Sequence, residues 1–189
     1  MADSSVESVD AAVEPRLRAV KSELKKKKSQ WGALAAVLEK HRGKKLLVVL
    51  VGYPDPDNIG AGLALQFIAR DYDIETSLLS FHEVSHQENR ALVKQLELDI
   101  WLYDERTDLS EYELYALVDT QRPEATPIED ELEKKTLVAV VDHHKRCPDI
   151  EAEFVDVRED AGSTCGIFAE YLEASVPEGL DSNLSLIHI

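Results

Sequence analysis

The sequence predicts an α/β chain: a doubly wound, mostly parallel sheet of five or six strands, with flanking helices and an N-terminal helical extension. Three observations predict it. Short, continuous, β-branched runs such as KLLVVLV at 45–51 read as strands covered on both faces. Stretches of helical spacing lie between them, and strands alternating with helices are the mark of a parallel sheet wrapped on two sides. At 189 residues and 44% hydrophobic, the chain is long enough and apolar enough for one domain with a real core.

Taken in order, residues 1–14 read as an acidic, disordered tail. Pro15 suits the first turn of a helix, and Leu17, Val20, Leu24, Leu34, Val37 and Leu38 recur at three- and four-residue steps. Gly43 suits the stop, so 15–43 forms the helical extension. Trp31, beside an alanine–leucine face, suits either packing against the domain or a homodimer contact. The domain proper spans 44–180. After the strand at 45–51, Gly52, Pro54 and Pro56 force a turn. Asn58 is the expected cap of a helix over 59–70 that carries Leu63, Ala64 and Phe67 inward. A strand follows at 74–80. Ser85-His86-Gln87-Glu88 reads as a capping box opening a helix through Leu96. Strands are expected at 99–103, 114–118 and 136–141, with a sixth at 153–155. A helical turn is expected at 107–113 and a polar loop at 123–133. Ser163 or Thr164 caps a last helix through Leu172. The ending SNLSLIHI does not resemble a natural helix end, and 181–189 are read as a non-native tail.

The net charge of −16 is unevenly spread. Residues 1–50 hold 11 Lys+Arg against 6 Asp+Glu, and the remainder holds 10 against 31. A body this acidic repels duplex DNA. It accepts a small phosphorylated ligand once divalent cations lie between, because bound ions invert the local field. The run Lys25–Lys28 reads as the solvated face of a helix, with nucleic-acid contact as its alternative. No apolar stretch approaches the ~20 residues of a membrane span, and no secretory leader opens the chain. Two lone cysteines, Cys147 and Cys165, make no disulfide framework and fit a reducing, cytoplasmic setting.

The chemistry gathers where strands end. Asp55 and Asp57 follow the first strand, Asp119 the fourth, and Asp142, His143 and His144 the fifth. In a parallel sheet these are all carboxyl ends, hence one edge, where open α/β sheets bind ligands. Four carboxylates resist ionising side by side, and divalent cations resolve the conflict. Oxygen donors with one or two imidazoles suit Mn²⁺ or Mg²⁺, with Co²⁺ or Zn²⁺ as alternatives. Two such ions clamp a phosphate and acidify a bridging water, which implies hydrolysis of a phosphorus ester by metal-bound hydroxide. Each piece alone has a plainer reading: an Asp after a strand is often a cap, and PDPD is often a rigid acidic turn. His41, His82, His86 and His188 read as surface or packing histidines.

The motifs YPDPDNIGAGLAL (Tyr53–Leu65), LVDTQ (Leu117–Gln121) and VVDHH (ending at His144) together resemble the DHH phosphoesterase superfamily, in order and spacing, over roughly residues 30 to 175. The resemblance implies two divalent cations, Mn²⁺ foremost. It implies that Asp55 binds the first and Asp57 the second, that Asp119 bridges them, and that His143 is a ligand. His144 would face the substrate phosphate, and Asp142 would orient the histidine pair from behind. Within the superfamily the chain most resembles bacterial oligoribonuclease/3′-phosphoadenosine 5′-phosphate phosphatases. That implies a short RNA or small nucleotide substrate; cyclic-dinucleotide phosphodiesterases and manganese pyrophosphatases share the motifs. Two departures stand out. Val51 occupies the place where many members carry a histidine, which also raises the alternative of a degenerate, non-catalytic nucleotide-binding module. A fourth motif with a further metal-binding aspartate is not found, since Asp156 and Asp160 come too early, so the chain is expected to be an N-terminal fragment.

Overall fold

A computed structural model of the chain describes residues 6–124 and 126–175. Helix α1 spans Val6–Lys40, and strand β1 spans Lys45–Leu50. There follow α2 (Pro56–Arg70), β2 (Glu75–Ser80), α3 (Gln87–Gln95) and β3 (Ile100–Leu102). The chain continues through β4 (Leu114–Val118), α4 (Glu129–Leu132), β5 (Thr136–Asp142), β6 (Phe154–Val157) and α5 (Thr164–Ser175). The six strands among the described residues are all parallel, in the order β3-β2-β1-β4-β5-β6. The order reverses between β1 and β4, and a crevice opens at such a reversal beyond the strands' carboxyl ends.

Alternation along the strands divides the core in two. Leu46, Val48 and Leu50 face one way, and pack with Leu34 and Leu38 of α1, Ile59, Leu65 and Ile68 of α2, and Ile167, Phe168 and Tyr171 of α5. Leu47 and Val49 face the other way, against Tyr112, Ile128, Leu132 and Val140. The second face is therefore covered by connecting segments and the single turn α4, rather than by long helices.

The expected elements are present, with corrections. Helix α1 begins at Val6, so Pro15 lies inside it rather than at its start. The expected tail at 1–14 is thus helical from Val6, and residues 1–5 and the tail at 181–189 lie outside the described residues. From Lys27 onward α1 packs as an extension of the domain. Lys27 pairs with Glu170 at 2.8 Å, and Lys40 and His41 both reach Glu153, at 2.7 and 3.0 Å. His41 is thus the packing histidine expected. Helix α2 starts one turn earlier than expected. Asp55, held extended by the proline after it, is the N-cap, and Asn58 closes the reciprocal half of the capping box. Phe67 of α2 is 53% exposed, not inward. The capping box expected at Ser85 does not form: His86 precedes α3 without a side-chain cap bond, and the Ser85 carbonyl is taken by the Arg90 guanidinium. Residues 107–113 form turns rather than a helix, whereas the loop at 123–133 does contain α4. No helix among the described residues is long and apolar enough to cross a membrane.

Candidate metal centre

The acidic side chains reach the carboxyl edge on three segments: α2, the end of β4 and the end of β5. Gly52, at φ +82°, turns the chain sharply out of β1, a conformation that only glycine adopts freely. Asp55 and Asp57 then ride on the first turn of α2. Asp55 Oδ1 accepts from the amides of Asp57 (2.9 Å) and Asn58 (3.0 Å). Asp119 follows β4 in the left-handed region, at φ +58°, which aspartate tolerates better than most residues. Its amide still donates to the Val141 carbonyl at 3.0 Å, so its carboxylate is held at the β4–β5 end. Asp142 is the last residue of β5 rather than the first beyond it, and is 1% exposed.

The carboxylates and imidazoles converge. His143 Nε2 lies 3.5 Å from Asp57 Oδ2 and 3.5 Å from Asp119 Oδ1. His144 Nδ1 lies 3.7 Å from the same Asp119 oxygen, and donor atoms of Asp119, His143 and His144 all fall within 4.8 Å of one another. Asp55 is the outlier: it caps α2 and forms no ion pair with either imidazole, though its charge reaches Asp119.

One role implied by the resemblance differs in detail. Asp142 does not hold both rings. Its Oδ1 accepts from the His144 ring Nδ1 (2.8 Å) and from the backbone amide of His143 (2.9 Å). The His143 ring is held instead by the Ala161 carbonyl, which accepts from Nδ1 at 3.4 Å. That bond leaves the Nε2 lone pair aimed at two carboxylates. This is the orientation a metal-binding imidazole needs, and donors 3.5 Å apart can share one ion bonded at about 2.1 Å to each. Val51 is half-buried against the apolar cluster of the second face and offers no ligand.

Two residues that sequence reasoning passed over shape the site. Thr164, fully buried at the start of α5, donates its hydroxyl to Asp119 Oδ1 at 2.9 Å. The amides of Thr164 and Cys165 donate to the two oxygens of Asp57, at 2.9 and 2.7 Å. The positive end of α5 thus orients Asp57. Gly60 permits this closeness, since a Cβ there would stand 2.4 Å from Cys165 Sγ. Gln121, buried, donates to Asp142 Oδ2 (2.5 Å) and to the Lys145 carbonyl (3.0 Å), and accepts from the Cys147 amide (2.6 Å). The signal for Gln121 was its place two residues beyond Asp119 in LVDTQ; Thr164 gave only a capping signal.

The electrostatics favour a cation. Burial first of all, then the charges of Asp57 and Asp55, push the Asp119 carboxyl up to about 6 against the opposing Thr164 hydrogen bond. The hydrogen bond to Asp142 raises His144 above its ordinary value. Burial, followed by the Asp57 charge, pushes the Cys165 thiol up to about 12, so it stays neutral and is no nucleophile.

The N-terminal domain model of the DHH family matches residues 45–187, which takes in every one of these side chains. The chain belongs to the DHH family. Members of the DHH family are metal-dependent phosphoesterases. The chain is 28% identical over 170 residues to the uncharacterized protein MJ1633 of Methanocaldococcus jannaschii, matching 90% of this chain and 34% of that protein. Among solved structures it is similar to an exopolyphosphatase-related protein from Bacteroides fragilis, with a TM-score of 0.60 and 17% identity. That match covers 76% of this chain and 44% of that one. A structure of the exonuclease RecJ bound to manganese gives a TM-score of 0.45 at 18% identity, covering 77% of this chain and 37% of RecJ. The chain thus spans about a third of the curated relative's length.

Proposed function

We propose that this chain forms the metal-binding part of a phosphoesterase that hydrolyses short oligoribonucleotides or nucleotides such as 3′-phosphoadenosine 5′-phosphate. The observation that carries the reading is the approach of Asp57 and Asp119 to one imidazole nitrogen, that of His143, across the β1–β4–β5 edge. Asp57, Asp119 and His143 hold one of two cations, with Asp55, whose charge reaches Asp119, as a further carboxylate for the other. Divalent cations, Mn²⁺ foremost, neutralise phosphoryl oxygens and acidify water when bound at such a site. His144 is 60% exposed, with Nδ1 fixed on Asp142, so its Nε2 is left for the substrate phosphate. The raised pKa of that ring favours the protonated form, a charge-assisted donor to a phosphoryl oxygen. Asp142 and Gln121 hold the ring in place.

The test is hydrolysis by the whole protein with Mn²⁺, with a short oligoribonucleotide, 3′-phosphoadenosine 5′-phosphate, a cyclic dinucleotide and inorganic pyrophosphate as substrates. Asp119→Ala and His143→Ala are each expected to abolish turnover. Wild-type turnover in either variant refutes the site, and hydrolysis of pyrophosphate alone replaces the substrate. Val51 favours a second reading, a nucleotide-binding module without catalysis. In that case calorimetry finds at most one Mn²⁺ per chain and no turnover of any of the four.

A further inference from the structure

We propose that Tyr53 and His82 form a stacking platform for the nucleobase of the substrate, beside the metal cluster. The proposal deepens the phosphoesterase reading and rests on it for the position of the phosphate. Tyr53 is 66% exposed, the most exposed large apolar side chain among the described residues. Its ring stacks on that of His82, with centroids 4.3 Å apart and planes 21° apart. The other aromatic pairs among the described residues meet tilted or edge-on. Phe81–Tyr103 and Trp101–Tyr112 belong to the second apolar cluster, and Phe154, Phe168 and Tyr171 belong to the first. The Tyr53–His82 and His143–His144 pairs stand outside the core, and of the two only Tyr53–His82 is stacked.

Both rings ride on backbone that is fixed from below. Gly52, at φ +82°, and the buried Pro54 bracket Tyr53, and the Pro54 carbonyl accepts from the side chain of buried Asn89 at 3.4 Å. On the other strand Ser80, 1% exposed, accepts from the His82 amide (3.2 Å) and donates to the His82 carbonyl (2.9 Å). Leu50 and Ser80 are partners in the β1–β2 register, so the two loops leave the same edge side by side. A ring fixed this way gives up little entropy on binding a flat ligand. Position supplies the rest. Tyr53 stands two residues before Asp55 and four before Asp57, at most about 7 and 14 Å along the chain. It flanks the cluster on the β2 side, while His144 flanks it on the β5 side. A base stacked on Tyr53 leaves its phosphate over the carboxylates, whereas inorganic phosphates have no π-face to use the platform.

The test measures, with Mn²⁺ present, the affinity of the whole protein for adenosine 5′-monophosphate and for ribose 5-phosphate, which differ by the base alone. Base stacking of the usual strength makes the nucleotide bind roughly 5- to 150-fold tighter. Tyr53→Ala is expected to erase that preference and leave ribose 5-phosphate affinity unchanged. Tyr53→Phe is expected to keep it, and His82→Ala to reduce it. The platform is overturned by equal affinities in the wild type, by no nucleotide binding at all, or by a preference that survives Tyr53→Ala. Failure of the phosphoesterase reading shows separately, as Mn²⁺ affinity untouched by Asp119→Ala.

Discussion

Thr164 shows how much of this site depends on residues that touch no ligand. Its hydroxyl is a donor to Asp119, and its amide is a donor to Asp57. Partners of this kind behind a ligand typically contribute 10- to 100-fold in metal affinity. Thr164→Val is expected to weaken Mn²⁺ binding, read by calorimetry, on the order of tenfold, and Thr164→Ser is expected to restore it. An unchanged affinity in the valine variant would show that the hydroxyl is merely packed. Gln121 plays the matching part for Asp142. Gln121→Leu strips a buried carboxylate of a donor, which costs about 1–3 kcal/mol for an unsatisfied buried group. A lowered melting temperature checks it, together with poorer catalysis through His144. In LVDTQ the acid is conspicuous, but the glutamine looks like any polar residue in a turn. Its role appears only when residue 142 is seen beside it.

At the scale of elements, the long helix α1 and the strand β6 are joined through Glu153. Lys40, the first cause, and then His41 hold that carboxylate below its ordinary 4.5. A depressed carboxyl contributes stability above its unfolded value, and loses it as pH falls through the folded one. The melting temperature of Glu153→Gln is therefore expected to lie below the wild type at neutral pH, with the gap closing below about 4.5. A gap that widens in acid would invert the assignment. Along α1, the three- and four-residue spacing identified Leu34 and Leu38 correctly, because a helix that docks must line up its apolar side chains. The start of the helix did not follow from that spacing. Spacing gave no start for α2 either: Asp55, a ligand candidate by sequence, is also its N-cap.

For the whole molecule, the proposed site links metal binding to folding, because Asp57, Asp119 and His143 come from three segments that meet only in the native state. A cation present at about 100 times its dissociation constant stabilises the fold by about 2.7 kcal/mol. For a chain of this size that raises the melting temperature by about 5–10 °C. Wild-type protein is expected to show this rise with Mn²⁺, and Asp119→Ala to lose it. No rise in the wild type would remove the cation from the account. The parallel sheet and its acidic edge were legible because strands buried on both faces must be continuously apolar, and because parallel strands put every strand-end acid on one side. The sequence by itself therefore determined the fold class, the edge and the acids. Tertiary structure alone decided which of them meet, and what holds each one. Asp57 is held by amides 107 and 108 residues away, and the His143 ring by the carbonyl of Ala161 rather than by Asp142. Periodicity and local motifs describe neighbours along the chain. The bonds to Asp57 join segments that only the packing of α5 against α2 brings together.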